Sequence, residues 1–289
     1  MRRVEFLINQ IRKNANVDST RYNDDMICSI LTEAQSEIRD IIFLANNDSN
    51  ILKDIHYIDI QGGTRECALP ERMFAENSIY SVGFRNQNYD TEVYYPAKRI
   101  NIKDFANEFG YCVFGKKLLI STRSIDPEIR RVKIIYNSQL PILQIRRGLV
   151  SAVVGNNITL TSPKEGLDGY SDFCCFVDAS GELVKSDVKI VSYDSLTGVL
   201  VVDNATGITS GLYALAGGYS TTNSKLPIEV EHFLVKASER RIAAMDSSQS
   251  DLQITGMLTG EERELVLSKF QKSSEDLIYP TISNDTPWI

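Results

Sequence analysis

Apolar residues recur at three- and four-residue steps along two early stretches of the chain, and that period predicts helices. From Val4 to Ala15 the spaced positions are Phe6, Leu7, Ile11 and Ala15. From Asp24 to Ala45 the stripe runs through Met26, Ile27, Ile30, Leu31, Ala34, Ile38, Ile41, Ile42 and Ala45, while Ser29, Glu33, Glu37 and Asp40 take the other side. Asn23 or Asp24 is placed to cap this helix, and Asn46 to Asn50 end it in residues that prefer turns. Short β-branched or aromatic runs follow at Ile79 to Phe84, Tyr111 to Phe114, Leu118 to Ser121 and Val132 to Tyr136. Gly115-Lys116 suits a two-residue hairpin turn. Asn101 is placed to cap a short helix with Ile102, Phe105 and Phe109 on its buried side.

Pro141 to Gly148 reads as a boundary. Beyond it, strands are expected at Leu149 to Val154, Ile158 to Thr161, Phe173 to Val177, Val188 to Tyr193, Val199 to Asp203 and Leu212 to Leu215, separated by Gly and Asn turns. Such spacing is the signature of a small sandwich or barrel. Helical patterning returns at Leu226-Pro227, with Val230, Phe233, Leu234, Ala237, Arg241 and Met245 along one side. Thr259-Gly260-Glu261-Glu262 fits a capping box, and Leu265, Val266, Phe270 and Leu277 form the stripe of a last helix. The crossover helices of a parallel sheet are missing. The expected fold is therefore α+β, with a helical core from the N- and C-terminal segments, a strand-rich middle and an inserted small antiparallel β sandwich or barrel. Residues 1–145 and 223–278 form the core with its strand-rich region, 146–222 the inserted β domain, and 279–289 an extended tail.

Composition changes this picture little. Of 289 residues, 43% are hydrophobic and 24% charged, near the averages for soluble globular chains. No apolar run approaches the ~20 residues a bilayer needs. The five cysteines, Cys28, Cys67, Cys112, Cys174 and Cys175, are odd in number and lack a Cys-x-x-Cys, so they read as core thiols of a chain folded in a reducing cytosol. A net charge of −7 argues against wrapping DNA through a basic face, whereas an acidic conduit repels its cargo.

No catalytic constellation emerges. His56 and His232 lie in different elements and neither joins a triad or a paired-histidine zinc motif. Gly62-Gly63 and Gly217-Gly218 lack the lysine and hydroxyl residue of a phosphate loop, and Asp168, Asp172, Asp178, Asp187, Asp194 and Asp203 lack calcium-loop spacing. The reading is of no enzyme, no cofactor and no metal. Basic doublets such as Arg130-Arg131 and aromatic pairs such as Tyr94-Tyr95 are weighed as DNA contacts and stacking platforms against solvated pairs and core or interface residues.

The stretch from His56 to Phe74 reads as a strand, a tight Gly62-Gly63 turn and a returning strand that Leu69-Pro70 halts. Preceded by a helix pair, it resembles the head-to-tail connector, or adaptor, proteins of tailed bacteriophages. The Tyr95-Pro96 step, the Tyr111 to Ser121 hairpin, the Val132 to Tyr136 strand before Leu140-Pro141, and the helical return at Leu226 follow in the same order. The chain departs at Cys67, where members commonly show tyrosine, and in its large β insertion from about Arg146 to Gly218. The resemblance implies a structural virion protein, made in the host cytoplasm and assembled as a dodecameric ring that extends the DNA channel. Its partners are further copies, the portal protein and a downstream tail or neck protein, with DNA passing without sequence-specific binding and no membrane. Tyr279, Pro280, Ile282, Pro287, Trp288 and Ile289 of the tail are the expected contacts to the portal or an adjacent subunit, because two prolines and an apolar end suit docking on a partner. The alternative is an accessory tail protein whose β domain binds carbohydrate or another tail component.

Overall fold

The helical period places its first element where expected: α1 spans Val4–Ala15 and buries Val4, Leu7, Ile8 and Ile11, although Phe6 is left exposed. The computed structural model of the chain describes residues 3–45, 52–61, 65–74, 78–86, 93–105, 107–121, 129–167, 172–246 and 257–270. The fold is α+β, and it divides into two compact units: Met1–Asn47 with Leu140–Ile289, and Asp48–Gln139. The strand-rich region, expected to belong with the helices, thus stands as a unit of its own, while the helices share theirs with the β insertion.

In the first unit α2 (Asp24–Ala45) starts behind Asn23, whose Oδ1 accepts the Met26 N–H at 2.9 Å. It buries Ile27, Ile30, Leu31, Ala34, Ile38, Ile41 and Ile42. Two very short strands, β8 (Ile142–Leu143) and β15 (Ser220–Thr221), run parallel where the chain enters and leaves the insertion. Between them β9 (Gly148–Val154), β10 (Asn157–Thr161), β11 (Phe173–Val177), β12 (Leu183–Asp194), β13 (Val199–Val202) and β14 (Tyr213–Ala216) close a barrel in the order β10-β13-β12-β11-β14-β9. Every neighbouring pair in it is antiparallel.

Alternation explains the barrel wall. In β10 Ile158 and Leu160 point inward while Asn157, Thr159 and Thr161 face solvent. They meet Val150, Phe176, Val188, Leu200 and Val202 in one apolar core. β11 breaks the alternation because both of its faces are covered: Cys174 and Phe176 point into the barrel, and Cys175 and Val177 pack with Leu215 in a second cluster. Two helices complete the unit, α3 (Ile228–Asp246) after Pro227 and α4 (Gly260–Phe270). α1 packs on α3, and α2 lies against α3 and α4. The capping box at the start of α4 is formed as predicted, with Glu262 N–H donating to Thr259 Oγ1 (3.3 Å) and Thr259 N–H to Glu262 Oε2 (3.1 Å). Val266 of its stripe is buried, Leu265 is exposed, and Leu277 lies outside the described residues.

The second unit holds two sheets. β1 (Lys53–Asp59), β3 (Ile79–Asn86), β4 (Tyr95–Ala97) and β7 (Ile129–Asn137) pair antiparallel in the order β1-β7-β3-β4. β2 (Glu66–Ala68), β5 (Tyr111–Phe114) and β6 (Lys117–Ile120) form the order β2-β6-β5. Val82, Phe84, Val132, Ile134 and Tyr136 from the first sheet and Tyr111, Leu118 and Ile120 from the second share one core. The β5–β6 hairpin turns through Gly115 at φ +57, as Gly115-Lys116 predicted.

Two expectations are corrected here. β1 and β2 are not partners: β1 pairs over seven residues with β7, from Lys53↔Asn137 to Asp59↔Arg131, and three-residue β2 pairs with β6. The longer ladder satisfies more backbone groups than a hairpin with so short a returning strand. The intervening Gly62-Gly63 lies outside the described residues. The short helix after Asn101 is a single 3-10 turn, Ile102–Asp104, capped by Asn101 Oδ1 on the Lys103 N–H, and its Ile102 and the nearby Phe109 are exposed rather than buried. A turn that short has no continuous stripe to bury.

Candidate interaction surfaces

The candidate chemical residues are distributed over both units. His56 is an exposed β1 residue opposite Ile134. His232 is on α3, its ring 3.8 Å from that of Phe233, and partial desolvation with Lys269 and Lys236 nearby holds it below the ordinary histidine value. Cys28, Cys112, Cys174 and Cys175 are buried, and none of the five cysteines is in a disulfide. Burial pushes Cys28 up to about 12 and Cys67 to about 11, the reverse of the activation a nucleophilic thiol needs. Among the described residues no group of three or more His, Cys, Asp or Glu is placed to hold a metal ion. No helix among them is long and apolar enough to cross a membrane. The tail residues Tyr279, Pro280, Ile282, Pro287, Trp288 and Ile289 lie outside the described residues.

One polar cluster in the first unit joins α2 to the strands on either side of the barrel. Gln35 Nε2 donates to Pro141 O (2.9 Å), Ser224 Oγ donates to Gln35 Oε1 (3.1 Å), and the Leu226 N–H donates to Ser224 Oγ (3.2 Å). One turn earlier Thr32 Oγ1 accepts the Leu143 N–H at 3.0 Å. Beside them Arg147, whose side chain is 5% exposed, pairs with Asp25 and donates to Glu165 O at 2.8 Å. A cleft of about 310 Å³ opens here between Asp25, Thr32, Glu33, Gln144 and Arg147. The buried Arg147 charge is matched by Asp25, so the arrangement fastens a helix.

A second surface lies in the other unit, on the face of the four-stranded sheet turned away from its core. Since Val82, Phe84, Val132 and Ile134 point inward, strand alternation sends Gly83, Arg85, Arg131 and Lys133 to the opposite face. Tyr57 joins them from β1, opposite Lys133, and Asp59 stands opposite Arg131. Gly83 leaves room for Tyr94, whose Cβ is 3.0 Å from where a glycine-replacing Cβ would sit. The rings of Tyr57 and Tyr94 are 5.9 Å apart, and Lys133 Nζ lies 6.0 Å from the first and 5.5 Å from the second. Lys53 Nζ sits 3.5 Å over the Tyr80 ring. Arg131 binds Asp59 through two nitrogens (2.5 and 3.0 Å), a pairing that holds the Asp59 carboxyl below its usual range.

Sequence reading singled out Arg130-Arg131 and Tyr94-Tyr95 separately, and the fold brings Arg131 and Tyr94 to one surface. It missed Tyr57, Tyr80, Lys53 and Lys133. Their signal is the period-two alternation of β1 and β7, which assigns residues to a face once the register is known. No family model matches the sequence, and no curated protein matches it.

Proposed function

We propose that this chain is a structural virion protein, a ring adaptor between the portal and the tail of a tailed bacteriophage that extends the DNA channel. The observation that carries the reading is connectivity. Helices from both ends of the sequence, α1 and α2 with α3 and α4, pack together, and the chain between them is spent on two β modules. This is the order of elements on which the resemblance to connector proteins rests. Two β modules with different surfaces on one chain suit the heterologous subunit contact of a closed ring.

The helices also leave apolar side chains uncovered on their outer sides: Phe6 on α1, Leu44 on α2, Ile228 and Met245 on α3, and Leu265 on α4. These are the candidate faces between neighbouring copies. The tail from Tyr279 to Ile289, with a reach of roughly 35–40 Å when extended, is the candidate arm onto the portal or the next subunit. Negative-stain electron microscopy and light scattering of the purified chain, alone and mixed with the portal protein of its phage, test the proposal. The expected result is a ring on the portal axis; failure to associate at any salt concentration overturns it.

A further inference from the structure

We infer that the open face of the four-stranded sheet binds single-stranded nucleic acid, with Tyr57 and Tyr94 stacking on bases while Lys53, Arg85 and Lys133 neutralise phosphates. This inference stands independently of ring assembly. Among the described residues, four cations and one carboxylate, Asp59, make this face basic on a chain whose net charge is −7. The register sets Arg85 directly opposite Arg131, and like charges in that position repel unless an anion lies between or beside them. Asp59 supplies one such anion from the β1 side. Asp59 also attracts Arg85, and a phosphate group adds a second anion beside this pair of cations.

The aromatic groups are interleaved with these charges rather than buried beneath them. Tyr57 is 49% exposed and Tyr94 half-buried, so the Tyr57 ring is the more open of the two to a base. Bases stack on such rings whatever their sequence, and cations beside the rings follow the sugar-phosphate backbone. A second copy of the chain fits the face less well, because a stable protein contact needs a broad apolar centre, whereas the aliphatic pair Ile55 and half-buried Ile135 adjoins Tyr57 and Lys133. A duplex offers phosphates without unstacked bases, which leaves the tyrosines unused.

Fluorescence anisotropy with a fluorescein-labelled oligo-dT of about twenty nucleotides, titrated with the full chain at about 50 mM salt, tests this. Saturable binding that weakens as salt rises is expected. Tyr57→Ala and Tyr94→Ala should each weaken it by at least about fivefold, Tyr57→Phe should keep it within about twofold, and Lys133→Gln should reduce the salt slope by about 0.7. Lys236→Gln, an exposed lysine on α3, serves as the reference and should change nothing. Circular dichroism of each variant checks that the exposed substitutions leave the fold intact. The inference is overturned if the unmodified chain does not bind. It is equally overturned if Tyr57→Ala and Lys133→Gln bind as well as the parent, or if they alter the sedimentation of the free protein and leave the anisotropy unchanged, which would make the face a contact between copies.

Discussion

Gln35 is fully buried on α2 beside Leu31, Ala34 and Ile38, and both ends of its amide are used. Replacing it with leucine keeps the face apolar but strands the Pro141 carbonyl and the Ser224 hydroxyl. Each buried group left without a partner costs about 1–3 kcal/mol, so Gln35→Leu should lower the urea midpoint of the first unit clearly, even though hydrophobicity rises. An unchanged midpoint would mean that water or a shifted strand replaces the amide. Glu262 works differently. It closes the α4 capping box and pairs with Arg240, whose hydrogen bonds are the main reason its carboxyl sits below the ordinary glutamate value. A lowered folded value means that its contribution is complete above the unfolded glutamate value and disappears as pH falls through the folded one. Glu262→Gln should therefore lower the melting temperature at neutral pH and narrow its gap to the parent in acid; a gap that stays constant with pH refutes the ionic role.

Among the elements, the barrel hairpins depend on backbone conformation more than on side-chain identity. Gly198, between β12 and β13, has φ +72, and a Cβ there would lie 2.4 Å from Leu160 O. Gly207 has a similar φ of +82 with nothing near the added atom. Alanine at either site meets the left-handed strain, and at Gly198 it also collides with a carbonyl whose strand must move. Gly198→Ala should destabilise the protein by more than about 1 kcal/mol and by more than Gly207→Ala, read from chemical denaturation of the pair. The barrel also carries its own core, from Val150 to Ala216, and β8 and β15 lie side by side at its base. Excising residues 148–216 and joining the ends with a Gly/Ser bridge should leave the helical signal in circular dichroism. Global loss of helix would show that the helices need the barrel to fold.

Phe6→Glu and Leu265→Glu place charge on exposed apolar positions of α1 and α4, so the melting temperature of the isolated chain should hardly change while ring formation is lost. Truncation before Tyr279 should likewise spare stability and abolish attachment to the particle. A truncated chain that melts much earlier yet still attaches would place the tail on its own subunit instead. The net charge of −7 makes copies repel one another at long range, and the basic sheet face stands out against it.

The bounds of α1 and α2, the α4 capping box, the Gly115 turn and nearly every barrel strand were legible in the sequence, because each depends on signals a few residues apart. Apolar spacing, a capping side chain and a glycine at positive φ act locally and say the same thing wherever the segment is placed. Strand partners do not work that way. β1 carries the same alternation whether it pairs with β2 or with β7, and the length of the β7 ladder decided between them. The same holds for Phe109 and Ile102, apolar at helical spacing yet exposed, because the chain makes one 3-10 turn there. Closure of the barrel and the meeting of Tyr57, Tyr94, Arg131 and Lys133 on one face likewise came only from register, which joins residues distant in the chain. A period of two sorts each strand's residues between its faces, and only tertiary packing decides which strand lies alongside and which face is covered.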